Sequence, residues 1–313
     1  MESFLAKALV LAFLKTIGTV YGFSPKWLRR GVEKCLAILF RATSFKQKVI
    51  IENLKICFPE KEAEFGRNLL EFYEAFARLV FEVTMLFGVG NPMARYLKNE
   101  VKVTGTEHWQ KAHDLGRGVI FVSSHVGNWE IMVGSAGRLN MNLLMVTKRL
   151  KPRWLHSVIE NARLKLAVRG AYEPRTLSAV NEHLRQGGTV GFVIDQYTGP
   201  PVGIRVPFFG KYVGTHSAVA LTAKRSGAPI LPVVCYVNKT GSHQIDILPA
   251  VDWVTDDNAH REIALNTATL GRFSEQCVRD HLHQWLWIHR RFKGNLGPLE
   301  PGEWENPRIR RGR

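Results

Sequence analysis

Cysteine is scarce in this sequence, and the chain carries no cysteine motif. Only four of its 313 residues are Cys, at positions 35, 57, 235 and 277, and no two of them form a Cys-x-x-Cys pair. This spacing argues against a disulfide framework and against a cysteine-based zinc site. The cysteines lie within apolar runs such as Leu231–Tyr236, so we expect reduced thiols that fill the core as small apolar side chains.

Several motifs of common enzyme classes are also absent. The sequence contains neither His-Glu-x-x-His, which binds zinc, nor Gly-x-x-x-x-Gly-Lys, which binds nucleotide phosphates. The segment Gly134–Gly137 lacks the Gly-x-Ser-x-Gly spacing of a nucleophilic serine. We therefore predict a protein with no metal ion, no cofactor and no covalent serine intermediate.

Acidic residues are outnumbered by basic ones. Lys and Arg total 43 against 27 Asp and Glu, which gives a formal net charge of +16. Such a balance attracts polyanions: nucleic acid, an anionic lipid surface or an acidic protein. No segment resembles a DNA-reading helix, so we assign the charge to lipids or acidic proteins and expect no nucleic-acid partner.

One long apolar segment occurs, at the N-terminus. Phe4–Phe23 is apolar except for Lys7, Lys15 and a few small polar residues, and a spanning helix needs about 20 such residues. No small-residue cleavage site follows it, so we expect no cleaved signal peptide. Trp27–Phe40 adds basic side chains beside apolar ones, a combination that binds anionic lipids. We predict membrane-anchoring helices over residues 1–43; the alternative is a buried helical hairpin of a soluble protein.

The rest of the chain predicts an α/β domain over residues 44–300. Helical spacing covers 44–58 and 62–87 before any strand appears. Apolar or alternating runs then predict six strands, at 101–104, 118–124, 143–147, 188–195, 230–237 and 243–248, and helical patterns lie at 131–139, 155–167, 177–184, 217–224 and 262–283. Strands and helices in alternation indicate a mostly parallel or mixed central sheet flanked by helices. Residues 301–313 form a basic C-terminal tail.

A histidine and a glutamate stand five positions apart after an apolar run. Val119–Val122 is typical of a buried strand, so His125 follows it at the sheet edge where ligands bind. Gly127 allows a close backbone approach, and Asn128 can cap a helix whose first turn holds Glu130. If the two side chains meet across the turn, Glu130 can orient His125 as a general base. The alternative is a loop histidine and a capping glutamate that never touch.

This block resembles the His-x4-Asp/Glu motif of the glycerolipid acyltransferase superfamily. More narrowly, the chain is similar to the secondary (late) lipid A acyltransferases, the lauroyl/myristoyl transferases of Gram-negative bacteria. Blocks similar to that family follow its order: Glu52–Glu60, Ser124–Glu130, Asp195-Gln196, Val206–Gly210, Gly214-Thr215, Ala228–Pro232 and Gln284–Lys293. One departure is Lys148-Arg149, where the family often has Ala-Arg-Pro. Single blocks are weak, but the ordered set is specific to the family.

The resemblance implies a function in lipopolysaccharide biosynthesis. A fatty acyl chain would pass from acyl carrier protein, or less often acyl-CoA, to a hydroxyl of a lipid A precursor, with His125 as general base and Glu130 as its partner. Backbone N–H groups near Gly127 and Asn128, or a basic side chain such as Arg149 or Arg163, would stabilise the oxyanion. Substrate-binding candidates are Asn128, Arg149, Arg163 and Asp195, although Arg163 also fits a solvated helix face and Asp195 also fits a helix or turn cap.

The same resemblance implies a place in the cell and a set of partners. We expect the cytoplasmic face of the bacterial inner membrane, with membrane lipids, acyl carrier protein and the lipid A precursor as partners. Both the precursor and the carrier protein are acidic, in keeping with the positive charge. Two alternatives stay open: acyl transfer to another lipid, such as a lysophospholipid or glycolipid, and a non-catalytic lipid-binding protein of the same fold.

Overall fold

The N-terminal third of the protein is helical. The computed structural model describes residues 4–294 and 296–305. Pro59 and Pro92 each stand at the first position of a helix, where a missing backbone N–H costs nothing. The elements are α1 (Phe4–Phe23), α2 (Lys26–Ala42), α3 (Gln47–Cys57), a 3-10 helix (Pro59–Glu64), α4 (Phe65–Thr84) and α5 (Pro92–Asn99).

Helix α1 has a packed half and an exposed half. Gly18 and Gly22, four residues apart, lie against the segment between α4 and α5; a Cβ at Gly18 would stand 2.0 Å from the Thr84 carbonyl oxygen, so glycine permits this approach. Toward the other end, Phe4 and Phe13 are 88% and 64% exposed. Within the described residues, α1 is the one helix long and apolar enough to cross a membrane. This is consistent with the predicted membrane association.

A seven-stranded sheet forms the centre of the α/β part. Its order is β1-β9-β8-β2-β5-β3-β4, and neighbouring strands run parallel except for the antiparallel pair β8–β9. Strands β6 and β7 form a separate antiparallel hairpin. The strands are β1 (Val101–Thr104), β2 (Val119–Ser123), β3 (Leu143–Val146), β4 (Arg169–Ala171), β5 (Thr189–Val193), β6 (Gly203–Phe208), β7 (Lys211–His216), β8 (Ile230–Val237) and β9 (His243–Ile247).

Helices flank this sheet and cover its apolar strands. Strand β2 is buried at every position, as expected for a central parallel strand with helices on both faces. The remaining elements are α6 (Thr106–His113), α7 (Trp129–Arg138), α8 (Arg153–Lys165), α9 (Thr176–Arg185), α10 (Ala218–Ser226), α11 (Ala259–Asp280) and a 3-10 helix (Leu282–Gln284).

The predicted fold class is confirmed. All six predicted strands are present, and helices occur at every predicted segment. The sequence did not reveal α5, α6, β4 or the β6–β7 hairpin. The expectation that every cysteine lies in the core was wrong for Cys35, which is exposed on α2, whereas Cys57, Cys235 and Cys277 are buried.

The C-terminal residues 301–305 pack on β6. Glu303 forms an ion pair with Arg205 at 3.3 Å, and the Trp304 indole donates to the Arg205 carbonyl oxygen at 2.9 Å. The basic residues 306–313 of the predicted tail lie outside the described residues. The division of the chain into 1–43, 44–300 and 301–313 stays a prediction.

Candidate active site

His125 and Asp195 meet at the carboxyl edge of the central sheet. Strands β2 and β5 are parallel neighbours, with Ser123 opposite Val193. His125 and Asp195 each follow these partners by two residues, so the register brings them side by side. The Asp195 carboxylate accepts hydrogen bonds from the His125 ring nitrogen Nδ1 at 2.7 Å and from the His125 backbone N–H at 2.8 Å.

The carboxylate of this pair is buried and ionised. Asp195 is 1% exposed at its side chain, against 16% for His125. The Trp285 indole N–H also donates to Asp195, at 2.6 Å. Burial by itself raises the pKa of this carboxyl, but the His125 charge and the donated hydrogen bonds outweigh it and lower the pKa to about 2. Asp195 is therefore an anion that holds the Nδ1–H tautomer of His125 and leaves Nε2 with a lone pair.

Gln196 and His289 face that lone pair. The Gln196 side-chain nitrogen lies 3.2 Å from His125 Nε2 and 3.0 Å from His289 Nε2, so one amide group donates to both imidazoles. Burial and the neighbouring His125 lower the pKa of His289, which favours its neutral, accepting form. The buried Arg291 guanidinium donates to the Gln196 carbonyl oxygen at 3.0 Å and fixes this residue from behind.

Residues 284–289 of the C-terminal segment cover residues 124–128, the loop between β2 and α7 that carries His125 and is called the histidine loop below. The Leu286 N–H donates to the His125 carbonyl oxygen and the Gly127 N–H donates to the Gln284 carbonyl oxygen, both at 3.0 Å. Asn53 on α3 donates from its side chain to the carbonyl oxygens of Trp287 and His289, both at 2.8 Å. Three blocks that lie far apart in the sequence thus meet at one site.

Gly127 makes the close approach that its residue type predicts. Its φ is +62°, and a Cβ there would stand 2.3 Å from the Cys235 carbonyl oxygen. The backbone at Gly127 therefore lies directly against β8, the strand that contains Cys235. The Gly127 N–H already donates to the Gln284 carbonyl oxygen, so this one group is not free to bind an oxyanion.

Glu130 does not form the contact with His125 that the sequence predicted. It accepts two hydrogen bonds from the Arg163 guanidinium, at 3.0 and 2.5 Å, and one from the Trp129 indole at 3.1 Å. The reason is local: Glu130 lies in the first turn of α7 and faces α8, whereas the loop turns His125 toward β5. The predicted His125–Glu130 hydrogen bond was therefore wrong, and Asp195 takes that place.

Arg163 is a buried cation. Its pKa is raised, because hydrogen bonds and charge from Glu130 and Glu160 outweigh the lowering effect of burial. The alternative of a solvated helix face is therefore wrong for Arg163. Trp129, which Glu130 holds, packs edge-on against the His125 ring with 5.1 Å between ring centroids. Glu130 thus reaches His125 through an intervening side chain.

Asn128 caps α7, as predicted. Its side-chain oxygen accepts from the backbone N–H groups of Glu130 at 2.9 Å and Ile131 at 3.4 Å. Its side-chain nitrogen donates to Glu82 at 2.9 Å, and Glu82 in turn pairs with His243 at 2.8 Å. Because both ends of the Asn128 side chain are used inside the protein, its role in the structure is that of a cap.

Arg149 lies apart from the histidine. It is exposed after β3, and its guanidinium stacks over the Tyr172 ring at 5.5 Å from the centroid. No contact among the described residues joins Arg149 to His125 or Glu130. Sequence reasoning missed Gln196, His289 and Trp285 as site residues, although each lies in a block that the resemblance had singled out.

Two cavities adjoin the histidine loop. One, of about 290 Å³, is lined by His125 and Asn128 and by charged side chains of α2 and α4 such as Lys34 and Arg78. The other is a narrow apolar cavity of about 30 Å³ between the sheet and α7, with Ser123 at its lining. Its walls are Val103, Phe121, Met132, Val133, Ser135, Ala136, Leu139, Met141, Leu143, Met145, Gly191, Phe192, Val193, Val233, Ile245 and Ile247.

No metal site is built by the described part of the chain. Among residues 4–294 and 296–305, no group of three or more His, Cys, Asp or Glu side chains is placed to hold a metal ion. The absence of a cofactor stays a prediction. The arrangement of His125 and Asp195 is suited to proton transfer at His125 Nε2, with the Asp195 charge beside the ring.

Comparison with known proteins identifies the family. The sequence model of the bacterial lipid A biosynthesis acyltransferases matches residues 3–294. A lipid A biosynthesis lauroyltransferase of Escherichia coli is 25% identical over 254 residues, 79% of each chain. A lipid A biosynthesis acyltransferase of Haemophilus influenzae is 25% identical over 277 residues, 85% of this chain and 82% of the other. A phosphatidylinositol mannoside acyltransferase of Mycobacterium tuberculosis is 25% identical over 72% of this chain and 70% of its own. The match over nearly the whole chain shows that the protein belongs to the bacterial lipid A biosynthesis acyltransferase family.

Proposed function

We propose that this protein transfers a fatty acyl chain from a thioester donor to a hydroxyl of a lipid A precursor, with His125 as the general base. The observation that carries the proposal is the His125–Asp195 pair, 2.7 Å apart at the edge of a cavity, with Nε2 directed away from the carboxylate. This arrangement suits removal of a proton from a hydroxyl group.

The reaction follows from this geometry. The acceptor hydroxyl displaces the Gln196 amide at His125 Nε2 and gives up its proton there as its oxygen attacks the thioester carbon. The C–S bond then breaks, and the leaving thiolate takes the proton from His125. Asp195 stays ionised throughout and stabilises the imidazolium. No acyl-enzyme is formed, because the acceptor oxygen attacks the donor directly.

Glu130 and Arg163 act as positioning residues in this scheme. Their ion pair fixes the Trp129 indole, which packs against the His125 ring. Asn128 holds the start of α7 so that this contact is kept. Arg149, exposed at the same carboxyl edge of the sheet, attracts the anionic groups of incoming substrate.

The donor we propose is acyl carrier protein, with acyl-CoA as the less favoured choice. The net charge of +16 supports it, because the carrier protein is acidic. For the acyl chain we propose the narrow apolar cavity beside Ser123, because its lining is almost entirely apolar, although its volume of about 30 Å³ has to increase before a chain can enter. Met132, Met141 and Met145 line it, and methionine side chains are flexible enough to widen it when a chain enters.

The cellular place we propose is the cytoplasmic face of the inner membrane, anchored by α1. The exposed apolar half of α1 supports an association with lipid. Three of the cysteines are buried free thiols, and Cys35 is an exposed one, which suits a reducing compartment.

A second acceptor class has an observation in its favour. The similarity to the phosphatidylinositol mannoside acyltransferase supports a sugar hydroxyl of another phosphoglycolipid as acceptor. The same His125–Asp195 pair would serve it. A non-catalytic lipid-binding protein is disfavoured, because it gives no reason for an ionised aspartate to hold a histidine at a cavity.

The test is a transfer assay with separate donors and acceptors. Purified protein is incubated with acyl carrier protein or CoA thioesters and with a lipid A precursor or a mannosylated phosphatidylinositol, and products are read by mass spectrometry. We expect an acylated lipid A precursor, lost in His125→Ala and kept in the matched control His260→Ala on the exposed face of α11. An unchanged precursor with every donor would overturn the proposal.

A further inference from the structure

A cavity beside α1 holds two lysines and no acidic group. It has a volume of about 350 Å³ and lies between α1, the α4–α5 turn and the end of α8. Lys15 enters from α1 and Lys165 from α8, and neither forms an ion pair among the described residues. The rest of its lining is uncharged: Met85, Leu86, Phe87, Gly88, Val89, Gly90, Asn91, Met93, Ala162 and Leu166.

Lys15 stands where α1 leaves the body of the protein. On one side of it, Gly18 and Gly22 pack against the α4–α5 segment. On the other side, the helix is exposed and apolar, with Phe13 64% and Leu9 61% exposed. A surface of this kind enters lipid, and a cation at its boundary lies at the level of lipid headgroups.

The backbone of the α4–α5 turn adds positive potential to the cavity. Gly90 and Asn91 both have positive φ, of 76° and 57°. The Asn91 side chain makes no capping bond at the start of α5, and the first turn of that helix holds no acidic residue. Gly90, Asn91 and Met93 at this helix start line the cavity, and the first turn of a helix carries partial positive charge of the same sign as Lys15 and Lys165.

We propose that this cavity binds the phosphate group of an anionic membrane lipid. The two lysines neutralise the phosphate, and the apolar side chains of Leu86 and Val89, of which Val89 is 66% exposed, contact the glycerol and the upper part of the acyl chains. A soluble phosphate could satisfy the lysines, but the apolar lining and the exposed end of α1 favour a lipid. The bound lipid fixes the depth and orientation of the enzyme at the membrane surface.

Vesicle flotation with the full-length protein tests this site. Three vesicles are compared: phosphatidylcholine alone, phosphatidylcholine with phosphatidylglycerol, and phosphatidylcholine with oleate at the same surface charge. We expect the tightest binding to the phosphatidylglycerol vesicles, because oleate supplies its charge as a carboxylate and the phosphate of phosphatidylcholine is neutralised by its own choline. The double variant Lys15→Gln/Lys165→Gln should lose about 25-fold in affinity for them, about fivefold for each lysine. Both side chains are exposed, so the variant should keep the wild-type melting temperature.

A matched pair of lysines provides the control. Lys7→Gln/Lys239→Gln removes the same charge, from α1 and from the β8–β9 turn, without touching the cavity. We expect it to retain the preference for phosphatidylglycerol over oleate. An equal loss in both double variants would overturn the proposal in favour of general electrostatic attraction. Loss of the preference when inorganic phosphate is added in excess would overturn the lipid as the ligand.

Discussion

Two histidine–carboxylate pairs in this protein have almost the same nitrogen–oxygen distance but very different surroundings. His125 and Asp195 are 2.7 Å apart at the sheet edge, and His243 and Glu82 are 2.8 Å apart between β9 and α4. The side chains of His243 and Glu82 are both 1% exposed, whereas that of His125 is 16% exposed.

The two pairs differ in what the second imidazole nitrogen of the histidine contacts. His243 Nδ1 lies 3.8 Å from the buried Cys235 sulfur, and the Tyr96 ring packs edge-on against the imidazole. Among the described residues, the hydrogen-bond partner of His125 Nε2 is the partly exposed Gln196 amide, which the proposed mechanism has the acceptor displace. An acid–histidine pair is therefore suited to proton transfer when its outer nitrogen can be reached, and to holding elements together when it cannot.

Replacing His125 should produce the largest effect. His125→Ala removes the proposed base, so kcat/KM should fall by about 10²–10⁴-fold while stability is kept. Steady-state kinetics and thermal unfolding of the same preparation check this. A similar loss in kcat/KM for His243→Ala at full stability would contradict the assignment of proton transfer to His125 and of a structural role to His243.

Breaking the buried His243–Glu82 pair should lower the stability of the protein. Glu82→Gln leaves His243 without its carboxylate, and the free energy of unfolding should fall by about 3–5 kcal/mol. Burial lowers the pKa of His243, but Glu82 outweighs this and raises it to about 10. The stabilisation is thus complete below about pH 6.5, the unfolded value, and is lost as pH rises toward about 10.

Urea unfolding across this alkaline range checks the prediction. The wild-type protein should lose stability as pH rises, and Glu82→Gln should show a flatter profile. A variant with the wild-type slope would show that the pair contributes nothing to the pH dependence.

Asp195 should control stability in acid. Its folded pKa of about 2 lies below the value of about 3.9 in unfolded chains. It therefore contributes roughly 2–3 kcal/mol above about pH 4, which is lost as pH falls toward 2. Asp195→Asn should flatten the acid side of the urea-unfolding profile, and an unchanged acid profile would exclude this assignment.

Removing Gln196 should produce the smallest effect. In the proposed mechanism the acceptor hydroxyl displaces this amide, so Gln196→Ala should lower the KM for the acceptor by about fivefold, the worth of one hydrogen bond, with little change in kcat. Initial rates at varied acceptor concentration separate the two constants. A fall in kcat of about 10² or more would instead identify Gln196 as an oxyanion donor.

The sequence predicted the sheet better than the site. Apolar runs such as Val119–Val122 are buried on both faces and are easily recognised, whereas β6 and β7 contain glycine, proline and charged residues and gave no strand pattern. His125 was found because its motif is contiguous. Its partner was misassigned because the β2–β5 register places Asp195, 70 residues away, closer than Glu130 five residues away.

Asn53 has a consequence for the order of events during synthesis. Its side chain, on an early helix, holds the carbonyl oxygens of Trp287 and His289, and Trp285 is a donor to Asp195. The histidine loop therefore acquires its last hydrogen bonds only when the C-terminal segment has left the ribosome. By then α1 has long left the ribosome, so with the membrane anchoring proposed for α1 the site should be completed on a chain that already lies at the membrane.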